Sequence, residues 1–216
     1  MKKSKRQSKS NIWLDRQNSD QFVKKARKGG YRARAVFKLE QIDKKHQLIK
    51  PDTKLVDLGS APGSWSQYAV KRVNHPAQVV AVDILPMDEV PGVQFINGDF
   101  TQEDVIQRIL GALEGAQVDL VLSDMAPNIT GIRATDQARA EILQRSILQL
   151  CEQALKPGGG LLTKLFEGET AIFMRLQMKT LFNRFQVVKP EASRSESKEI
   201  FLLARGYSGV PTNKVD

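Results

Sequence analysis

Beyond Pro51 the apolar positions fall into short unbroken runs separated by longer stretches in which they recur every three or four residues. That is the pattern of buried strands alternating with amphipathic helices. It predicts strands at residues 54–59, 78–84, 93–97, 118–123, 160–166, 185–189 and 199–205, and helices at about 64–73, 102–114, 134–155 and 169–182. Thr101 and Asp104 resemble a capping box at the start of the second of these helices, and Lys156-Pro157-Gly158-Gly159 stops the third. Before Pro51, a short helix capped by Ser19 or Asp20 runs to about Lys28 and ends at Gly29-Gly30. A second, from Ala33 to about His46, sets Ala35, Val36, Leu39 and Ile42 at helical spacing, while Arg32, Arg34, Lys38, Lys44 and Lys45 fill the other faces. Alternation of this kind predicts an α/β fold with a mostly parallel, doubly wound, seven-stranded sheet. Only Pro190 to Lys198 separates the last two strands, too little for a crossover helix, so they should run antiparallel.

The net charge of +9 is unevenly spread, with +12 in residues 1–50 and −3 in the remainder. This divides the chain into a basic N-terminal helical arm, 1–50, whose first ten or so residues are expected to be disordered, and a single domain, 51–216. Such asymmetry is the electrostatic footprint of a nucleic-acid partner, because each phosphate neutralised by Lys or Arg releases counterions. No apolar run approaches the roughly 20 residues that span a bilayer, and the N-terminus lacks the apolar core of a secretory signal. A soluble, cytoplasmic monomer without a membrane partner is the expectation. The one cysteine, Cys151, falls in a helical pattern and reads as a buried, inert thiol.

The run Leu55-Val56-Asp57-Leu58-Gly59-Ser60-Ala61-Pro62-Gly63-Ser64-Trp65 reads as a buried strand turning sharply into a helix. Gly59 and Gly63 lack a Cβ, which lets a nucleotide-like group approach the main chain. Asp83 ends the next strand, where a carboxylate can accept hydrogen bonds from a ribose. A dinucleotide site asks for G-x-G-x-x-G, whereas this chain has G-S-A-P-G, and Pro62 removes an N–H where phosphate oxygens need donors. The turn suits S-adenosylmethionine better than a nicotinamide or flavin cofactor. A glycine turn with no ligand is the remaining reading.

Ligands of doubly wound sheets sit outside the carboxyl ends of the parallel strands. Asp83, Asp99, Asp124 and Lys164 fall at or near such ends, and Glu199 begins the antiparallel last strand and so reaches the same edge. Lys164 interrupts the apolar strand Leu161-Leu162-Thr163-Lys164-Leu165-Phe166, and lysine is almost never fully buried unless paired. Asp124 and Glu199 are available partners, and Lys38 could complete a cluster of alternating sign; a purely structural ion pair is the alternative. Trp65 directly follows the glycine turn, a place for stacking near the cofactor, although tryptophan more often belongs to a core. His46 and His75 sit at loop positions with nothing to mark either as a base. Without a histidine cluster or cysteine ligands, a transition-metal mechanism lacks material.

From about Trp13 to Arg205 the chain resembles the FtsJ/RrmJ-type ribosomal RNA 2′-O-methyltransferases. The resemblance rests on Lys38 in R-A-x-F-K-L, V-D-L-G-x-A-P-G-x-W at 56–65, D-x-L-P-M-D at 83–88, G-D-F at 98–100, S-D-M-A-P-N at 123–128, and Lys164 and Glu199. It implies a Rossmann-like S-adenosylmethionine-dependent methyltransferase fold with a Lys-Asp-Lys-Glu catalytic tetrad at Lys38, Asp124, Lys164 and Glu199. The cofactor residues it implies are Gly63, Trp65, Asp83, Asp99 and Asp124, to which the turn geometry adds Gly59. Ser60 and Ser64 replace the family's frequent Ala and Gly. The implied substrate is a uridine of large-subunit ribosomal RNA in an assembled or nearly assembled subunit.

Methyl transfer needs the ribose hydroxyl oxygen in line with the sulfonium methyl at about 3 Å, with its proton leaving as attack proceeds. A neutral lysine base at pH 7 costs about 4.6 kcal/mol from a free pKa of about 10.4. A charged Lys164 stabilising a developing alkoxide is therefore easier to reach than a deprotonated one, and both versions stay open. Arg194 and Lys198 are expected to hold RNA phosphates, and the loop from Asn128 to Ala134 to move. Three rivals remain: an NAD oxidoreductase, a base methyltransferase, and an RNA-binding assembly factor without catalysis. Against the second, Asp124-Met125-Ala126-Pro127 lacks the aromatic residue that grips a planar base.

Overall fold

The computed structural model describes residues 20–75, 78–127, 129–194 and 197–209. Met1–Ser10, Trp13 and Asn128, and with them the expected disordered tail and the start of the expected mobile loop, lie outside the described residues. The elements run α1 Gln21–Lys28, α2 Val36–His46, β1 Leu55–Leu58, α3 Ser64–Val70, β2 Val79–Asp83, β3 Val93–Asn97, α4 Glu103–Ala112, β4 Val118–Ser123, α5 Arg133–Ala154, β5 Leu155–Phe166, α6 Glu169–Leu181, β6 Phe182–Val188 and β7 Glu199–Tyr207.

The seven strands stand in the order β3-β2-β1-β4-β5-β7-β6. β1 to β5 pair in parallel, and β7 lies antiparallel between β5 and β6. The chain winds one way from β1 to β3 and the other way from β4, so the switch point, where a crevice must open, lies between β1 and β4. Alternate side chains of each strand feed two cores. Val56, Leu58 and Val121 pack with α4, α5 and α6, whereas Leu55, Leu120 and Leu122 pack with α1, α2 and α3.

The basic arm is thereby built into the second core. Val36, Phe37, Leu39 and Ile42 of α2 are all buried. Asp43, also buried, fixes α2 in place: its carboxylate accepts from the Leu48 and Ile49 backbone N–H groups and from the Tyr68 hydroxyl, each at 2.8 Å. Burial and this carboxylate push the Tyr68 phenol well above its ordinary range.

Several local expectations are corrected. The proposed capping box at Thr101 and Asp104 does not form. Gln102 is the N-cap of α4 and makes no side-chain cap bond, because Asp99 Oδ1 takes both the Thr101 N–H (3.0 Å) and its hydroxyl (2.7 Å). α2 begins at Val36, since Ala33 to Ala35 form a tighter turn closed by the Phe37 N–H to Arg34 O bond of 3.1 Å. His46 ends α2 and is not in a loop. Lys156-Pro157-Gly158-Gly159 does end α5, yet the strand has already begun: Leu155 pairs with Val118 and the ladder resumes at Gly160 after a register shift.

Candidate active site

Two hydrogen bonds to Val82 O, from the Gly59 N–H at 2.9 Å and the Ser60 N–H at 3.1 Å, hold the turn after β1 against β2. Asp83 at the end of β2 binds the same turn: one oxygen accepts from the Ala61 N–H at 2.8 Å and the other from the Leu85 N–H at 2.8 Å. A carboxylate has about four acceptor positions, so Asp83 keeps capacity for a diol while locking the loop. The crevice beside this turn has a volume of about 610 Å³ and is walled by Gly59, Asp83, Asp99, Asp124 and Lys164, with Ile84 and Leu85 exposed at its lip. That size lies within the range of small-molecule sites, and apolar side chains opposite carboxylates suit a ligand with a flat aromatic part and a hydroxylated part.

The two glycines have different reasons. Gly59 has φ +74°, and a Cβ there would collide with Met125 Cγ, so the β1 turn and the loop after β4 touch. Gly63 has φ +103° at the N-cap of α3, and a Cβ there would meet Arg32 and Met87 within 3 Å. Gly63 thus admits a guanidinium where open access to the main chain was expected. Arg32 donates to Pro62 O (3.0 Å), Asp88 O (2.8 Å) and Glu89 O (2.8 Å), tying the basic arm, the glycine turn and the segment after β2 together.

Trp65 also departs from expectation. Its indole is 2% exposed, donates to Ala35 O at 2.8 Å and lies 5.9 Å from the Phe201 ring. The ring is therefore closed to stacking on a cofactor. What Trp65 offers is its main chain in the first turn of α3, where helical N–H groups lack intrahelical partners.

At the other side of the crevice four charges of alternating sign form a line. Lys38 Nζ lies 2.9 Å from Glu199 Oε1 and 3.6 Å from Asp124 Oδ1, and Lys164 Nζ lies 2.9 Å from the same Asp124 oxygen and donates to Asp124 O. α2, the end of β4, β5 and the start of β7 each supply one residue. All four side chains are between 10% and 15% exposed, so they are shielded from bulk water yet open to a reactant. Burial alone would raise the Glu199 carboxyl, but the hydrogen bond and charge of Lys38, with Lys164 beyond, hold it below its ordinary value. A second cavity of about 590 Å³ meets the first at Lys164, Met125 and Pro127 and extends between α5 and α6 past Lys198. Lys164, at one end of the line, thus stands where two cavities join, with Asp124 in the wall of the first, the arrangement that a transfer between two bound molecules needs.

Residues 31–207 match the family of FtsJ-like methyltransferases. The chain belongs to that family. The relatives include the ribosomal RNA large subunit methyltransferase E of Alkalilimnicola ehrlichii, 49% identical over 207 residues that cover 96% of this chain and 99% of that one. The protein of the same name from Marinobacter nauticus is 47% identical over 202 residues, covering 94% and 98%. Among solved structures, a ribosomal RNA methyltransferase from Plasmodium falciparum superposes with a TM-score of 0.73 at 27% identity, covering 83% of this chain and all of that one.

In this FtsJ-like methyltransferase a further carboxylate lies buried close to Asp83 and Asp124, although it lines neither cavity. Asp57, in the middle of β1, is 1% exposed and accepts from the Ser66 hydroxyl at 2.6 Å. Burial, against the Ser66 hydrogen bond and with the charges of Asp124 and Asp83 adding to it, pushes its carboxyl up to about 7. The signal was available, because Asp57 interrupts an apolar strand just as Lys164 does. The helical pattern places Arg32 on a polar face of the arm, and its three carbonyl partners come together only when the loops fold.

Proposed function

We propose that this chain is an S-adenosylmethionine-dependent methyltransferase that modifies the ribose 2′-oxygen of a uridine in large-subunit ribosomal RNA, acting in the cytoplasm as a monomer on the assembled or nearly assembled subunit. The observation that carries the reading is the Lys38-Asp124-Lys164-Glu199 line, whose Lys164 stands at the junction of two cavities. The rRNA methyltransferase names of near full-length relatives support the substrate class.

The cofactor's place in this reading is the crevice of Gly59, Asp83, Asp99 and Asp124, with the main chain of Trp65 in the first turn of α3 beside it and Gly63 shaping the turn. S-adenosylmethionine supplies an activated methyl group when bound. Asp83 holds the ribose of that cofactor with the acceptor positions its loop bonds leave over. Lys164 spends N–H directions on Asp124 O and Oδ1 and points a remaining one at the reacting ribose oxygen, stabilising the alkoxide that develops as the proton leaves to water. Asp124 orients Lys164, and the Lys38–Glu199 pair positions the target ribose. Arg194, Lys198 and the cations of the arm on the tetrad's side take the flanking phosphates.

The test is transfer of labelled methyl from S-adenosylmethionine to large subunits lacking the modification, with small subunits and protein-free RNA in parallel. Label in the large-subunit RNA is expected. Retention of nicotinamide nucleotides without affinity for S-adenosylmethionine would overturn the reading.

A further inference from the structure

The opposite end of the sheet, where β1 and β4 begin, carries a groove of about 630 Å³ that runs from Lys50 and Gly158 across Arg184 and Arg205. A smaller hollow of about 390 Å³, lined by Lys45, His46 and Gln186, shares Arg184 and Arg205 with it. Arg184 on edge strand β6 and Arg205 on β7 stand directly opposite each other in the antiparallel ladder. Like charges in that relation are destabilising, so the pair needs a reason. Arg205 donates to the carbonyl of His46, and Lys156 pairs with Asp119, the one carboxylate that lines either hollow. Lys45, Lys50 and Arg184 are exposed and make no ion pair with a carboxylate among the described residues.

His46 completes the hollow. Its Nδ1 lies 3.3 Å from the Gln186 side-chain amide nitrogen, a donor, so Nδ1 accepts and the ring proton sits on Nε2. That Nε2–H is buried with no hydrogen-bond partner among the described residues. Burial, Arg205 and Lys45 together hold the imidazole below its ordinary value, and burial with the charge of Arg184 depresses the Arg205 guanidinium against the opposing pull of Asp43. The groove is thus a set of mutually repelling donors short of an anion.

We infer that this groove is a second docking site for the phosphodiester backbone of RNA, seating phosphates against Arg184, Arg205 and Lys45 beside the His46 ring. It rests on the RNA-modifying reading above. Because it lies at the far end of the strands from the tetrad, it takes a segment of a folded RNA distant from the target nucleotide. A compact ribosomal RNA offers such a segment, and a short oligonucleotide bound at the tetrad does not.

Two measurements test it. In the first, the ring signals of the two histidines, His46 and His75, are titrated by NMR with and without short oligouridylate, and with inorganic phosphate at matched ionic strength. RNA in the groove raises the apparent pKa of His46 and leaves His75 unmoved, whereas in a Lys45→Gln/Arg184→Gln variant neither histidine responds. An unmoved His46 with oligouridylate in saturating excess over both the tetrad and the groove, or a response to inorganic phosphate alone, overturns the inference. In the second, the same variant, altered only at exposed positions, should show a KM for large subunits raised about tenfold with kcat unchanged, and a shallower salt dependence. Unchanged KM and salt slope would contradict the site. If the wild-type protein methylates no subunit at all, the functional reading fails, while the His46 titration still decides whether RNA occupies the groove.

Discussion

The two ends of the sheet handle positive charge in opposite ways. At the carboxyl ends of the strands, Lys38 and Lys164 are each matched to carboxylates within 3 Å, and the cluster of two cations and two anions is neutral overall. At the amino ends, Arg184 faces Arg205 across a ladder, with Lys45 and Lys50 near and a single carboxylate, Asp119, lining the groove. Paired charges hold each other's geometry, which a reaction centre requires; crowded like charges hold nothing until a polyanion arrives. The contrast teaches that a net charge of +9 does not by itself locate chemistry. Where cations lack carboxylates the surface fits phosphate, and where they have them the surface fits a reacting group.

Removing one cation from the paired end should do the most damage. Lys164→Ala takes away the donor proposed to face the reacting oxygen and should lower the single-turnover methyl-transfer rate by about 100- to 1,000-fold with the fold intact. Near-normal turnover in a folded Lys164→Ala protein would sink the assignment. Next in size is Asp43→Ala, which strands two backbone N–H groups and the Tyr68 hydroxyl in the arm's core and should cost about 3 kcal/mol in denaturant unfolding. A cost within experimental error would show that the arm is not held by this hub.

Asp57 gives a pH signature. Its carboxyl is pushed up to about 7 from 3.8, so the folded state binds a proton more tightly than the unfolded one. Its contribution to stability is full below the unfolded value and is lost as pH rises through about 7. Asp57→Asn should abolish that loss, so that its Tm relative to wild type climbs between acid and neutral pH; parallel Tm curves would contradict the buried carboxyl.

The smallest expected effect has the reverse sign. Glu199 is held below its ordinary 4.5, so the Lys38–Glu199 pair stabilises the fold above that value and stops doing so as pH falls through the lowered one. The stability gap between wild type and Glu199→Gln should therefore close only in strong acid. A gap that persists unchanged there would mean that the carboxylate is not what Lys38 reads.

Much of this contrast was legible in the chain itself at one end and hidden at the other. β3 and β4 fall at 93–97 and 118–123 as the apolar runs predict, because fully or half-buried strands announce themselves locally. Lys38, Asp124, Lys164 and Glu199 could be named because a lysine inside an apolar strand demands partners, and the structure brings the four together. Trp65 could not be placed, since the Ala35 carbonyl that claims its indole is 30 residues away and arrives only when the arm packs. The early start of β5 was masked by the turn chemistry of Lys156-Pro157-Gly158-Gly159, which ends the helix but does not prevent Leu155 from pairing across a register shift. The Arg184–Arg205 confrontation depends wholly on antiparallel register, which no local pattern reveals.

The most direct test of the central claim is the chemical position of the transferred methyl. Large-subunit RNA labelled by this protein is hydrolysed in alkali, which cleaves every linkage except those whose 2′-oxygen is blocked. Label recovered in an alkali-resistant dinucleotide that begins with 2′-O-methyluridine is the predicted result, and label in mononucleotides would contradict it by placing the methyl on a base.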